Sequence, residues 1–217
     1  MVSLAGRLAR AEGIALVVTL MASVVLLGIA GVLVPLASTE VTIAANYRRA
    51  VEGLHAAEAA LEWTVGELAP SPVWRAALVD GARSRLWAGT PELRLADGAR
   101  VPLDDETAAL RGDGAGPDGA GRGLDWSLFA HGPLADLVPL PAGYGAWHVA
   151  VWLAPAPGAA GLDPEDAGGT IAVHAAALDP GRGHRAVQAD LVRVVPPLPA
   201  PGGATEYVQL IAWRIVR

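Results

Sequence analysis

The sequence predicts an α+β protein in which a long N-terminal helix, apolar and then amphipathic, packs on an antiparallel sheet. Three observations support this prediction. Residues 14–34 form an apolar run without a charge, and a heptad-like spacing of apolar residues continues to Leu68. The last third of the chain alternates apolar and polar residues over several short segments. The first two patterns are typical of helices, and the third is typical of half-buried strands.

The apolar run predicts a membrane-spanning helix. It contains 21 residues, which as a helix extend roughly 31 Å, enough to cross the hydrocarbon core of a bilayer. Arg7 and Arg10 precede the run, and the next basic residue is Arg48. Because basic residues favour the cytoplasmic side, the short N-terminus stays inside and the chain after Pro35 is exported.

A secretory signal peptide fits this region poorly, because the run is longer than a usual signal core and only Leu36-Ala37-Ser38 offers a cleavage site. The alternatives are a signal anchor and a processed filament subunit. A short basic leader ends at Gly13, and Ile14 follows as the first residue of the run. Asn46 precedes Glu58, in an Ala-Ala-Glu-Ala-Ala segment, by 12 residues.

Over about residues 7–61 this region resembles the N-terminal region of PilX-type minor pilins of type IV pili. The resemblance implies that residues 1–13 are a prepilin leader, that a prepilin peptidase cuts after Gly13, and that the new amine of Ile14 is methylated. It implies a pilin-like fold and two further partners, other major or minor pilins and an inner-membrane assembly platform. The protein would sit in the inner membrane with its C-terminus exported, and later in the periplasm or the filament.

One position departs from the pilin pattern. Pilins at large favour a glutamate five residues after the cut, and Val18 occupies that place here. Several minor pilins and the K-type pseudopilin of type II secretion resemble this chain in that respect. The departure favours a priming or tip subunit over an ordinary mid-filament subunit.

Residues 14–35 are expected to form the membrane and filament-core helix. Gly28 and Gly31 allow another helix to approach closely, and together with Pro35 they weaken the helix locally. Pro35 is the twenty-second residue after the cut, where many type IV pilins carry a helix-bending proline. The resemblance implies that the helix extends here during assembly; the alternative is a kinked membrane anchor.

Residues 36–69 are predicted to continue as an amphipathic helix into the head, and Pro70 and Pro72 end it. Glu58 falls on the apolar seam of this helix. It is interpreted either as a subunit contact or as a glutamate at the seam edge that reaches solvent. The seam itself consists of Tyr47, Val51, Leu54, Leu61, Val65 and Leu68.

Residues 70–217 are predicted to form the exported head. A second helix is expected over Val73–Leu86. A hairpin is expected around Asp97-Gly98, because Asp-Gly suits a tight turn. Residues 112–123 are rich in glycine and predict a loop. Residues 124–141 are Pro-rich with an apolar cluster, and no strand is predicted there.

Four antiparallel strands are predicted in the last third, with a turn at Asp179–Gly183. The final strand alternates apolar residues on both sides, which predicts burial on both faces. The four strands are Gly145–Leu153, Thr170–Leu178, Ala186–Val195 and Tyr207–Val216.

No residue pattern predicts catalysis, a cofactor or a metal site. Three histidines, His148, His174 and His184, lie in or beside predicted strands, where a metal site could assemble, but sheet histidines without metal are commoner. The acidic segments 104–106 and 163–166 lack the spacing of a calcium loop. The chain has no cysteine, and its net charge of −6 gives no basic footprint for nucleic acid.

The sequence therefore favours a non-enzymatic minor pilin that primes or caps a type IV pilus or a related filament. A narrower alternative is a pseudopilin of a type II secretion system. An alternative from another class is a signal-anchored periplasmic enzyme or binding protein, which would keep its first helix and carry a pocket in the head.

Overall fold

The computed structural model describes residues 4–69, 74, 78, 81–94, 98, 100–112, 124–139, 147–156, 169–179, 181, 183–194 and 207–216. The chain divides into two compact units, Met1–Arg48 and Arg49–Arg217. The first unit contains the N-terminal part of the long helix α1, which spans Leu4–Leu68. The second contains the rest of α1 and the head.

Helix α1 continues through Pro35, which lies inside it. A proline in a helix leaves one carbonyl without its usual amide donor. Around this position hydroxyl groups bond back to the helix: Thr39 donates to the carbonyl of Pro35 at 2.9 Å, and Thr42 donates to that of Ser38 at 2.9 Å. Within the apolar run, the hydroxyl groups of Thr19 and Ser23 also donate to the carbonyls four residues earlier, each at 2.8 Å.

The head contains a two-stranded sheet, a short helix and a five-stranded sheet. The hairpin predicted around Asp97-Gly98 is present, and Gly98 has a φ of 82°, which a turn glycine adopts without strain. The elements are β1 (Glu92–Arg94), β2 (Arg100–Pro102), α2 (Leu103–Gly112), β3 (Ser127–Pro133), a 3₁₀ turn (Leu134–Asp136), β4 (His148–Pro155), β5 (Thr170–Leu178), β6 (His184–Val194) and β7 (Tyr207–Val216).

The large sheet has the order β3-β4-β5-β6-β7, and each neighbouring pair is antiparallel. The predicted turn between β5 and β6 is present, where the amide of Asp179 donates to the carbonyl of Gly183 at 2.8 Å. A long apolar N-terminal helix combined with antiparallel sheets confirms the α+β class.

The two faces of the sheet bury different elements. One face packs on the C-terminal part of α1, with Val151, Val173 and Val187 at its centre. The other face packs on the β1–β2 hairpin and α2, with Trp126 and Trp152 among its buried side chains. The head is therefore a three-layer arrangement of helix, sheet, and hairpin with α2.

Small side chains form most of the α1 surface that packs in the head. Leu61 and Leu68 of the predicted seam are buried, whereas Tyr47 is 73% exposed. The other buried positions between Gly53 and Leu68 are Gly53, Ala56, Ala57, Ala60 and Thr64. The heptad pattern located the correct part of the helix but not the residues that allow close contact with the sheet.

The four predicted strands are present as β4 to β7, and residues 127–133, for which no strand was predicted, add β3 to the sheet. Two predictions for the head are wrong. The helix predicted over Val73–Leu86 does not reach its predicted end, because residues 81–86 are not helical; Trp74 and Leu78 are helical, and the other residues from 73 to 80 lie outside the described residues. The final strand β7 lies at the edge of the sheet and is largely exposed.

The glycine-rich loop predicted over residues 112–123 lies almost entirely outside the described residues. Only Gly112 is described, as the last residue of α2.

Candidate functional site

The candidate site is the exposed apolar surface of α1 that begins at the Gly13–Ile14 junction. Both residues of the junction are helical. Ile14 is 62% exposed and Val18 is 60% exposed. All residues from 14 to 34 are exposed, although none of them is charged. Such a surface is stable only against lipid or against other apolar helices.

Within the described residues, one helical stretch is long and apolar enough to cross a membrane. It begins at Ile14, and its most apolar window has a mean hydropathy of 2.7 with no part of it buried in the chain. The length and the apolar composition of this helix are compatible with membrane anchoring.

Gly28 and Gly31 lie in open space, where an added β-carbon would meet no atom within 4 Å. Packing within the single chain therefore does not require glycine at either position. A surface contact with another helix would require small residues, because two backbones then approach closely. The assembly role of these glycines and of Pro35 remains a prediction.

Asn46 is exposed on α1, and Glu58 lies where α1 enters the head. The side chain of Glu58 is 35% exposed and lies 3.0 Å from Nδ1 of His55, one helical turn earlier. Glu58 thus has a partner on its own helix and also faces solvent in part. This contact is compatible with both interpretations of Glu58, as a subunit contact and as a glutamate at the seam edge that reaches solvent.

A carboxylate clamp near the end of α1 was not predicted. Glu67 accepts hydrogen bonds from the amide and Nε of Arg85, at 2.8 and 3.1 Å, and from the hydroxyl of Ser84. Its side chain is 11% exposed. The clamp holds Ser84 and Arg85, and backbone hydrogen bonds to Phe129 and His131 place residues 84–88 along the outer edge of β3. No sequence pattern could reveal it, because the partners lie 17 and 18 residues apart.

The same segment borders an open cleft with a volume of about 220 Å³. Arg83 lies over the ring of Trp87 at 4.1 Å, and Arg85 lies over that of Trp63 at 5.5 Å. Arginines of the chain itself thus already cover part of the aromatic surface. The lining residues are Trp63, Arg85, Leu86, Trp87, Ala88 and Asp136.

Burial favours the neutral form of three histidines of the sheet. Burial lowers the pKa of His131, and burial together with the charge of His131 lowers the pKa of His148 to about 4. Their rings are stacked with centroids 5.8 Å apart. Burial also lowers the pKa of His174 to about 4, with smaller contributions from His184 and Arg214.

These histidines do not converge on a metal site. Among the described residues, no group of three or more His, Asp or Glu side chains is placed to hold a metal ion. Asp104, Asp105 and Glu106 lie in the first turn of α2, where negative charges interact favourably with the helix dipole. The acidic segment 163–166 lies outside the described residues.

The comparisons with known proteins give no relative. No family model, no curated protein and no solved structure matches this chain.

Proposed function

We propose that this protein is a minor pilin of the PilX type, cut after Gly13, that primes or caps a type IV pilus or related filament. The observation that carries the proposal is the uncharged surface of α1 from Ile14 to Val34, exposed along its whole length and preceded by a short basic leader. A filament subunit needs such a surface twice, first against lipid and then against neighbouring helices.

The exchange between these two environments is physically reasonable. The apolar side chains leave lipid and contact other apolar side chains, so water never has to solvate them. Association then depends on close packing, for which Gly28 and Gly31 supply small positions without steric hindrance. Val18, in place of the usual glutamate, favours a low-copy subunit at the tip.

The division of α1 supports the same proposal. From Ala56 to Leu68 the helix is bound to the sheet through buried small and apolar residues, whereas from Ile14 to Ile43 its large apolar residues are exposed. A single helix thus carries a region that belongs to the head and a region available for assembly. A type II secretion pseudopilin has the same requirements and remains the narrower alternative.

A signal-anchored periplasmic binding protein or enzyme is the alternative from another class, and the cleft beside Trp63 favours it. That alternative requires the first helix to stay in place as an anchor. It therefore predicts an intact chain without a cut after Gly13.

The deciding experiment is intact-mass measurement and N-terminal sequencing of the protein isolated from membranes of its own host. We expect an N-terminus at Ile14 and a mass increased by one methyl group. An intact Met1 or an N-terminus near Ser38 would contradict the proposal and favour an anchored or secreted domain.

A further inference from the structure

The edge segment, residues 84–88, borders the sheet along β3 and is held there largely by one residue of that strand. The amide of His131 donates to the carbonyl of Leu86 at 3.0 Å, and the amide of Ala88 donates to the carbonyl of His131 at 3.0 Å. The ring of Trp87 lies edge-on to the imidazole of His131, with centroids 4.6 Å apart. His131 thus contacts the edge segment through both backbone groups and through its ring.

The imidazole of His131 is buried without the hydrogen bonds that a histidine usually makes. His131 is 0% exposed, and among the described residues neither of its ring nitrogens has a hydrogen-bond partner of normal geometry. Its ring stacks on that of His148 with centroids 5.8 Å apart, and Nε2 of His148 is also buried without a partner. A proton on either ring would therefore place an unpaired charge inside the protein.

The groups around the two rings give such a charge little support. Burial is the main cause that lowers the pKa of His131, the backbone of Gly89 raises it, and the charge of Arg83 lowers it further. Burial and the charge of His131 lower the pKa of His148 to about 4, against an opposing effect of Asp136. The closed edge segment thus favours the neutral form of both rings.

We propose that the edge segment is an acid-released strap: protonation of the His131–His148 pair detaches residues 84–88 from β3. In the released form water reaches the rings and solvates their charge. The edge segment also supplies most of the residues that line the cleft beside Trp63, so its release removes one wall of that cleft. This device depends on the fold of the head and not on the cut after Gly13.

The direction of the pH effect follows from where each form binds protons. A histidine that water reaches has a pKa near 6.5, whereas the closed form keeps the pKa of His148 at about 4. The released form therefore binds more protons, so the strap is closed above about pH 7 and is released as the pH falls. For His148 alone, moving from pH 7.5 to 5.5 favours release by about tenfold, and His131 acts in the same direction.

Hydrogen exchange at the amides of Ser84 and Ala88 tests the proposal in the full-length chain solubilised in detergent. Rates at pH 7.5 and 5.5 are divided into those of an unstructured peptide at the same pH, which gives protection factors free of the intrinsic pH effect. We expect the protection of both amides to fall about tenfold between these pH values. A fall of less than about twofold would overturn the proposal.

Urea distinguishes local release from global unfolding. A local opening exposes little surface, so at pH 5.5 exchange at Ala88 should hardly accelerate in urea below the unfolding transition. The amide of Val173, in the central strand β5, reports global unfolding in the same sample. Equal urea dependence at Ala88 and Val173 would contradict a strap that opens by itself.

The decisive variant combines His131→Phe with His148→Phe, which keeps two flat rings and removes both proton sites. The protection of Ala88 should then agree at the two pH values within about twofold. If this chain does not fold, His148→Gln alone, at a partly exposed position, should reduce the fall by at least about half. A full fall in either variant would assign the pH effect to another group, such as the carboxylate of Glu67 that holds the start of the segment, and would refute the strap.

The matched control is His174→Gln. His174 is also buried in the sheet, at 4% exposure, and burial lowers its pKa to about 4. Its ring contacts Trp126 and Trp152 and not the edge segment, with centroids 5.9 and 5.7 Å apart. The control should therefore keep the full fall in protection at Ala88. Loss of the fall in this variant would attribute it to the stability of the whole head and would also overturn the proposal.

Discussion

Gly53 of α1 lies directly against the indole ring of Trp147. A β-carbon at residue 53 would come within 2.7 Å of Cη2 of Trp147 and within 3.1 Å of Cγ of Arg185. Trp147 is 7% exposed and belongs to the core that α1 and the sheet share. The absence of a side chain at Gly53 therefore sets how closely the helix approaches the sheet.

Replacing Gly53 should weaken this contact. We expect Gly53→Val to lower the free energy of unfolding by about 1–3 kcal/mol, because the buried ring has to move. Gly66→Val is the matched control: Gly66 is exposed on the same helix with no atom near its β-carbon, and its substitution should change stability by less than about 1 kcal/mol. Denaturant unfolding of the detergent-solubilised chain measures both values, and equal effects would contradict this account of Gly53.

Most parts of the fold that the sequence predicted correctly have a strong local period, and the β1–β2 hairpin was predicted from its Asp-Gly turn. Helix α1 and strands β4 to β7 each repeat apolar residues at a spacing that one type of element explains. Strand β3 lacks this signal, because its seven residues include His131, Gly132 and Pro133. It becomes a strand through pairing with β4 and with residues 84–88, and a sequence does not display either contact.

The candidate site shows the same limit. The Gly13–Ile14 junction and the apolar run are local patterns, so the sequence alone indicates them. The exposure of β7 depends on whether another strand lies beside it, and its alternating apolar residues fit a central strand equally well. The contact of Glu67 with Ser84 joins distant residues, and only the tertiary structure reveals it.

The clamp at Glu67 should control the order of residues 84–88. We expect Glu67→Ala to lower the free energy of unfolding by about 1–3 kcal/mol, since the hydroxyl of the buried Ser84 and the amide of Arg85 lose a charged acceptor. Hydrogen exchange at the amide of Arg85 should accelerate in this variant. Glu62→Ala, at an exposed position of the same helix, is the control and should leave that exchange rate unchanged. An unaltered Arg85 amide in Glu67→Ala would show that the clamp has no such role.

The stability of the head should fall as the pH falls from about 6.5 to 4. A histidine in the unfolded chain has a pKa near 6.5, whereas the pKa of His174 is lowered to about 4. Between these values the unfolded state binds more protons, so each such histidine contributes a loss of about 1.4 kcal/mol per pH unit. Above about pH 7 both states are neutral and the contribution disappears.

Urea unfolding at pH 7.5, 6.0 and 5.0 measures this dependence. His174→Gln should reduce the slope of stability against pH, whatever its effect at pH 7.5. A slope that His174→Gln does not change would mean that this histidine is not kept neutral by burial.

A buried hydrogen bond joins the sheet to α2. Nε1 of Trp152 donates to the hydroxyl of Thr107 at 2.8 Å, and both residues are buried. Thr107→Val keeps the shape and removes the acceptor, so we expect a loss of about 1–3 kcal/mol in the free energy of unfolding. Thr107→Ser keeps the hydroxyl and should cost less than about 1 kcal/mol. Equal losses would show that the methyl group matters more than the hydrogen bond.

The junction at Gly13 is the most direct point at which to test the proposed processing. Gly13→Arg replaces the residue before the expected cut with a large charged one, and we expect the precursor to remain uncut in the inner membrane and to fail in assembly. Gly6→Arg is the matched control, because it places the same residue within the leader and away from the junction. The control chain should be cut normally and begin at Ile14. N-terminal sequencing distinguishes the two products, and normal filament assembly by the Gly13→Arg chain would count against a pilin. Loss of cutting in both variants would instead assign the effect to added leader charge, and the junction would then have no specific role.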